Sequence, residues 1–328
     1  MLRVLSTETA AQFASAVEEA ARLLEQGEVV AVPNETVYGL AANALNPEAV
    51  KKIFAIKGRP TNNPLIVHVA SVEMAREYVA GWSHKATALT AKHWPGPLTL
   101  VLPKAAIIPN EVTADGPTVA VRWPSHPFMQ ALIRRCGFPL AAPSANRSNE
   151  ISPTNAQHVI ASLGEKIPLL IDGGQCQVGI ESTVFDIEND RVLRPGTIPS
   201  AALESSATRA ETNYGKLRSP GLMQKHYAPR ARLVVAGWRD TEEAARIATE
   251  SKGRLETTRV IAYNRIPTEG GFAAVAVIPE DAEAYARALY AELHRCDEAQ
   301  AELILVETPP EGPMWEGIRD RLRRATTR

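Results

Sequence analysis

Short β-rich runs alternate with stretches whose apolar residues recur every three to four positions, and this alternation most limits what the chain can fold into. EVVAV at 28–32, LIVHV at 65–69, LTLVL at 98–102 and TVAVR at 118–122 read as strands, as do FPLAA, IPLLI and STVFDI farther along. Ala10, Phe13, Val17, Ala21 and Leu24 mark a helix with Ser6 or Thr7 as its cap and Gly27 as its stop. Asn46 and Pro47 open a second helix that passes Val50, Ile53 and Phe54 and ends before Lys57. Further helices fit residues 71–80, 83–94, 127–136 and 153–163. Such interleaving predicts an α/β fold. LTLVL and TVAVR stand too close for a helical crossover, so a mixed sheet is expected rather than a purely parallel one.

The pattern stops over roughly 200–230, where SSATRAETNYGKLRSPGLMQKHYAPR shows no apolar periodicity. It resumes with RLVVAG, a helix from Thr241, RVIAYN, AAVAVI, a helix from Pro279 to His294, ELILVE and a last helix from Pro313. The expected organisation is a first domain over 1–205, a linker over 206–230 and a smaller Rossmann-like α/β domain over 231–328. No Gly-x-Gly-x-x-Gly follows the first strand of that second unit, so no dinucleotide is expected there.

Composition narrows the function. Lys plus Arg total 36 against 37 for Asp plus Glu, with no basic excess in either half, which disfavours a bulk nucleic-acid binder. Cys136, Cys176 and Cys296 form no Cys-x-x-Cys pair, against both a disulfide framework and a cysteine zinc site. Glu8, Glu18 and Glu19 near the start do not suit a secretory signal, and no apolar run is long enough to span a bilayer. A soluble cytoplasmic protein without membrane contact is expected.

The phosphate loop, His-Glu-x-x-His and Gly-x-Ser-x-Gly are all missing, which removes three common mechanisms. Polar segments at predicted strand ends remain, the place where α/β folds gather ligands. Lys57 and Arg59 could address one anion, with Asn63 as a neutral donor, although basic residues at a helix end also simply complement its dipole. Ser144 and Asn146 follow a strand, where such groups commonly satisfy backbone. His68 lies inside an apolar strand and by itself reads as a core residue. Arg122 ends a strand, and an arginine so near a core calls for an anion. Thr36, Tyr38 and Ser182 suit either a pocket or turns, with Tyr38 an ordinary packing residue.

Taken in order, PNETVYGL, KGRPTNNPLIVH, VAVRWP, APSAN, GIESTV and LRPG resemble the motifs of the YrdC/Sua5 family of threonylcarbamoyl-adenylate synthases. SPG and KHYAP, followed by a smaller α/β unit, resemble the longer Sua5 type. Asn34 stands where that family usually has Thr, Ala41 where Gly is common, and LMQK where Met-Lys-Tyr-Lys or Arg is frequent. The resemblance implies a YrdC-like twisted mixed sheet with flanking helices, and condensation of L-threonine, bicarbonate and ATP to threonylcarbamoyl-AMP and pyrophosphate. The adenylate would feed N6-threonylcarbamoylation of tRNA adenosine 37 through tRNA-modification proteins that receive it.

A carbamate formed from the threonine amine is already a nucleophile, so this chemistry needs positioning and charge stabilisation rather than a serine or cysteine. Lys57, Arg59, Ser144 and Asn146 are the expected catalytic groups. By resemblance ATP is also held at Asn63, Thr118, Ser152, Arg194 and Tyr227, and threonine at Thr36, His68, Arg122, Ala142 and Ser182. Mg²⁺ is expected to enter with ATP on its phosphates rather than in a protein cage. The linker, with Ser219, Pro220, Gly221, His226 and Tyr227, is expected to fold over ATP as a lid that shields the adenylate from water. Two other readings are a double-stranded-RNA-binding or RNA-maturation factor with weak RNA contact, which the neutral charge disfavours, and a carbamoyl-transfer module acting on another acceptor.

Overall fold

The computed structural model describes residues 1–204 and 227–326. Among them, ten strands form one mixed sheet in the order β1 (Arg3–Ser6), β8 (Leu169–Asp172), β2 (Val30–Val32), β3 (Gly39–Asn43), β7 (Leu140–Ala141), β4 (Ile66–His68), β6 (Thr118–Arg122), β5 (Leu98–Pro103), β9 (Thr183–Asp186) and β10 (Arg191–Arg194). β5 and β6 pair antiparallel, as their short connection requires, whereas β4 and β6 run parallel. The flanking helices are α1 (Ala10–Glu25), α2 (Pro47–Lys57), α3 (Val72–Glu77), α4 (His84–His93), the short α5 (Asn110–Thr113), α6 (Pro127–Cys136) and α7 (Ala156–Ser162).

Three strands differ from the sequence reading. Arg3–Ser6, expected to lead into a helix cap at Ser6 or Thr7, is instead edge strand β1. The cap is Thr9, in a reciprocal box where the Gln12 N–H donates to Thr9 Oγ1 at 3.2 Å and the Thr9 N–H donates to Gln12 Oε1 at 3.0 Å. GLAAN has little intrinsic strand preference, yet burial between β2 and β7 makes it β3. RVLR forms β10 by antiparallel pairing with β9. Helix α2 also continues through Lys57 before Gly58 stops it at φ +59°, one residue beyond the expected end.

Alternation along the strands divides the sheet faces. Val67, Val119 and Val121 point into the main core, whereas Ile66 and Ala120 lie on the opposite face in a small apolar cluster with Val101 and Val184. On that second face α1 and α6 cover the β1, β8 and β2 region through Leu24, Phe128, Leu132, Val30 and Ile171. The β4–β6 region beyond their cover carries His68 and Arg122.

A second, wholly parallel sheet has the order β11 (Arg232–Ala236), β14 (Leu303–Glu307), β12 (Thr258–Ala262) and β13 (Ala274–Val277). Helix α8 (Thr241–Glu250) packs on one face, and α9 (Ala282–Glu298) and α10 (Glu316–Thr326) on the other. Asp281 caps α9, so this helix starts and ends later than the expected Pro279 to His294. Val37, Ile151 and Ile180 of the first unit share a hydrophobic cluster with Leu289, Leu293 and Ile318. The two units therefore meet through a common core.

Gly179 marks one close approach between them. Its φ is +85°, and a Cβ there would lie 2.4 Å from Arg287 Cα on α9. Backbone cannot swing aside as a flexible side chain can, so Gly179→Ala should destabilise the protein by about 1–3 kcal/mol. Urea unfolding checks this, and an unchanged midpoint would show that the two units do not need this contact.

The same interface holds a histidine pair. His158 of α7 stacks on His294 of α9 with ring centroids 3.7 Å apart, and His294 Nε2 lies 3.1 Å from Ser152 O. Burial, then the neighbouring His294 and Arg295, brings His158 down to about 3, and burial lowers His294 despite Asp297, Glu298 and Glu150. The unfolded chain takes up these protons near pH 6.5 and the folded chain does not, so stability is full above about 6.5 and falls as pH drops toward 3. His68 and His126 act in the same sense. Between pH 7.5 and 5, the melting temperature of the wild type should therefore drop more steeply than that of His158→Gln. Parallel slopes would assign the acid sensitivity elsewhere.

Candidate active site

β4 and β6 place His68 and Arg122 side by side, since the two residues are paired in the parallel register. Arg122 is buried, with Nε and Nη1 hydrogen-bonded and Nη2 ion-paired but, among the described residues, without a hydrogen bond. Nε donates to Gly96 O at 3.1 Å, Nη1 donates to Thr36 Oγ1 at 3.0 Å, and Nη2 lies 2.5 Å from Glu35 Oε1. Burial, then the Arg122 charge, brings His68 down to about 3, so it is neutral at physiological pH. Thr36 comes from the turn between β2 and β3, which Tyr38 pins by donating from its hydroxyl to Gly174 O at 2.7 Å. Tyr38 also lines the cavity next to Thr36.

Ser182 enters from the start of β9. Its Oγ lies 2.7 Å from Thr99 Oγ1, and Arg194 Nη2 donates to it at 3.1 Å. Arg194 also donates to the Ser182 carbonyl from Nε and Nη2, and its side chain is hydrogen-bonded to Tyr227. Arg59, after the α2 cap, donates from Nε to Asn63 O at 3.1 Å and from Nη2 to Asn63 Oδ1 at 2.6 Å and Pro64 O at 2.9 Å. Burial lowers it to about 10, so it stays a cation. Thr36, Arg59, His68, Arg122, Ala142, Ser144, Ser182, Arg194 and Tyr227 all line one cavity of about 60 Å³.

Five expected residues stand behind this wall. Lys57, expected to face a phosphate, is buried and donates from Nζ to Ser144 O at 2.6 Å and to Asn146 O. Burial, then the charge of Arg59, lowers its pKa well below the usual lysine range. It clamps the loop that presents Ser144. Asn146 Nδ2 in turn donates to Arg147 O and Glu150 O. Asn63 orients Arg59, and Thr118 starts β6, paired with Pro103 of β5. Ser152 Oγ donates to Glu181 Oε1 at 2.5 Å instead of facing the cavity.

Glu181 and Arg321 were not expected. Glu181 lines the cavity, and its Oε2 accepts from Arg321 Nε at 2.6 Å and from Tyr290 OH at 3.1 Å. Burial would raise its carboxyl, but Arg321, Arg194 and Ser152 hold it below the usual range. Arg321 of α10 is fully buried, donates from Nη1 to Pro195 O at 2.9 Å, and stands 5.1 Å from the Tyr227 ring. The second unit thus braces the wall from behind. Tyr227 is buried with φ +63° and stacks on Tyr290. Ser219, Pro220, Gly221 and His226 of the expected lid lie outside the described residues.

The chain is similar in sequence and fold to known proteins. Residues 22–196 match the family model of Sua5, YciO and YrdC described as "Telomere recombination", and residues 186–327 match the model of the threonylcarbamoyl-AMP synthase C-terminal domain. The chain belongs to the Sua5/YrdC family. It is 39% identical over 319 residues to the threonylcarbamoyl-AMP synthase of Pyrococcus abyssi, covering 94% of this chain and 93% of that one. The Bacillus subtilis threonylcarbamoyl-AMP synthase is 39% identical over 327 residues, covering 94% and 92%. A crystal structure of P. abyssi Sua5 complexed with L-threonine superposes with a TM-score of 0.85 at 35% identity, covering 99% of this chain and 97% of that one. No described helix is long and apolar enough to cross a membrane.

Proposed function

We propose that this chain is an L-threonylcarbamoyladenylate synthase, an adenylate-forming nucleotidyltransferase that condenses L-threonine, bicarbonate and ATP to threonylcarbamoyl-AMP, pyrophosphate and water. The carrying observation is a single cavity lined by two chemically distinct sets of groups. His68, Arg122, Thr36 and Ser182 offer an amino acid a carboxylate fork and hydroxyl partners, while Arg59, Arg194, Ser144 and Tyr227 offer phosphates cations and neutral donors. The carbamate oxygen attacks the α-phosphorus and the bond to the bridging oxygen of pyrophosphate breaks, leaving the charge on the leaving group. Buried, preoriented arginines stabilise that charge without reorganising. Covalent thiol catalysis is disfavoured, because burial holds Cys136 and Cys296 up at about 12.

Magnesium fits as a passenger of the triphosphate, whose charge it would offset. Glu181, the carboxylate among the described lining residues, already has its oxygens engaged by Ser152, Tyr290 and Arg321. Residues 1–205 form the catalytic domain in this reading and residues 231–328 the domain that braces it. The product passes to cytoplasmic tRNA-modification proteins. Pyrophosphate release with ATP, bicarbonate and each amino acid in turn tests the assignment. Release with threonine and threonylcarbamoyl-AMP as the product is expected. Release with another acceptor alone, or RNA binding without turnover, would overturn it.

A further inference from the structure

Glu35 sits in the turn that carries Thr36 and is 4% exposed. Its Oε1 lies 2.5 Å from Arg122 Nη2 and accepts from the Ser125 N–H at 2.9 Å. Its Oε2 is buried and, among the described residues, accepts no hydrogen bond. His68 Nδ1, beside Arg122 on the neighbouring strand, is also buried without a hydrogen-bond partner among the described residues. Arg122 Nη2 likewise has no hydrogen-bond partner among the described residues, and native proteins seldom leave such atoms unsatisfied. His68 and Arg122 line the cavity, so their open groups mark where a ligand's polar groups belong, with Glu35 standing behind Arg122.

We propose that Glu35 determines the specificity of the amino-acid subsite by neutralising Arg122, so that the subsite accepts a zwitterion and rejects a simple carboxylic acid. A lone buried guanidinium would welcome any carboxylate. With Glu35 ion-paired to it and His68 neutral, the subsite has no net charge, and a bare carboxylate would introduce an uncompensated negative charge into a dry space. A zwitterion brings its own ammonium. That ammonium balances the carboxylate's charge, while the carboxylate takes the remaining N–H groups of Arg122. Burial would push the Glu35 carboxyl up, but Arg122 and the Ser125 N–H hold it below the usual range, so the charge persists at neutral pH. His126 and Cys176 also couple to Glu35, and burial lowers the imidazole and raises the thiol, which keeps both neutral.

This inference rests on the amino acid binding at Arg122 and His68. Calorimetric titration of the full chain with L-threonine and with 3-hydroxybutanoate, which keeps the carboxylate and hydroxyl but has no amine, separates the two claims. The wild type should prefer threonine by at least about a hundredfold, as sites built around a polar partner do. In Glu35→Gln, which keeps an acceptor for Arg122 but loses the charge, the preference should shrink to less than tenfold with ATP affinity unchanged. Glu35→Asp, which keeps the charge, should retain most of it. Equal affinity in the wild type, or the same ratio in a folded Glu35→Gln, would overturn the inference. Should Glu35→Gln not fold, the wild-type ratio decides alone. No threonine binding by the wild type would instead defeat the functional reading.

Discussion

Replacing Arg321 by methionine should destabilise the protein by about 3–5 kcal/mol, the cost of leaving a buried carboxylate without its cation. Glu181 would lose the Nε donor at 2.6 Å, and the Pro195 carbonyl would lose its donor at 2.9 Å. Tyr227 would lose the guanidinium over its ring. Glu181→Gln in the same background removes the stranded charge while keeping an acceptor for Ser152 and Tyr290, so the double variant should recover more than half of the lost stability. Turnover should not recover with it, because the wall at Ser152 and Tyr227 remains unbraced. Urea midpoints and pyrophosphate release on the two variants check both halves. Equal stability of Arg321→Met and wild type would mean that α10 only rests on the first unit.

Arg59→Ala should lower turnover by about two to three orders of magnitude with a much smaller change in the unfolding midpoint. Its guanidinium is held by Asn63 and Pro64 before any ligand arrives, which is the preorganisation that electrostatic stabilisation requires. Lys57→Ala should behave differently. Lys57 anchors two backbone carbonyls of the Ser144–Asn146 loop, so its loss should cost folding stability as well as rate. Similar profiles for the two variants would contradict this separation of roles.

The sequence made the outer logic of this site legible because its motifs stand at strand ends, and β4 and β6 then bring His68 and Arg122 together by register alone. Local pattern could not show which polar residues turn inward and which satisfy one another. Lys57 and Ser152 carry the right chemistry in the right segments, yet their partners are loop carbonyls and Glu181, set by tertiary placement. Glu181 was in view within GIESTV, but its partner Arg321 is 140 residues away and nothing periodic links them. β3 escaped for a related reason, since Gly39 and its alanines become a strand through burial between neighbours rather than through propensity. The helix of Pro127–Cys136, with proline at its start and Gly137 as its cap, was legible to the residue because both end signals are local.

The central claim is that one cavity joins an amino acid, a one-carbon unit and the α-phosphate of ATP. Supplying carbon-labelled bicarbonate together with ATP labelled at the α-phosphate tests this directly. Both labels should appear in one product, in equal amounts and only when threonine is present. Nucleotide turnover in which the carbon label never enters a phosphorus-labelled product would contradict the account.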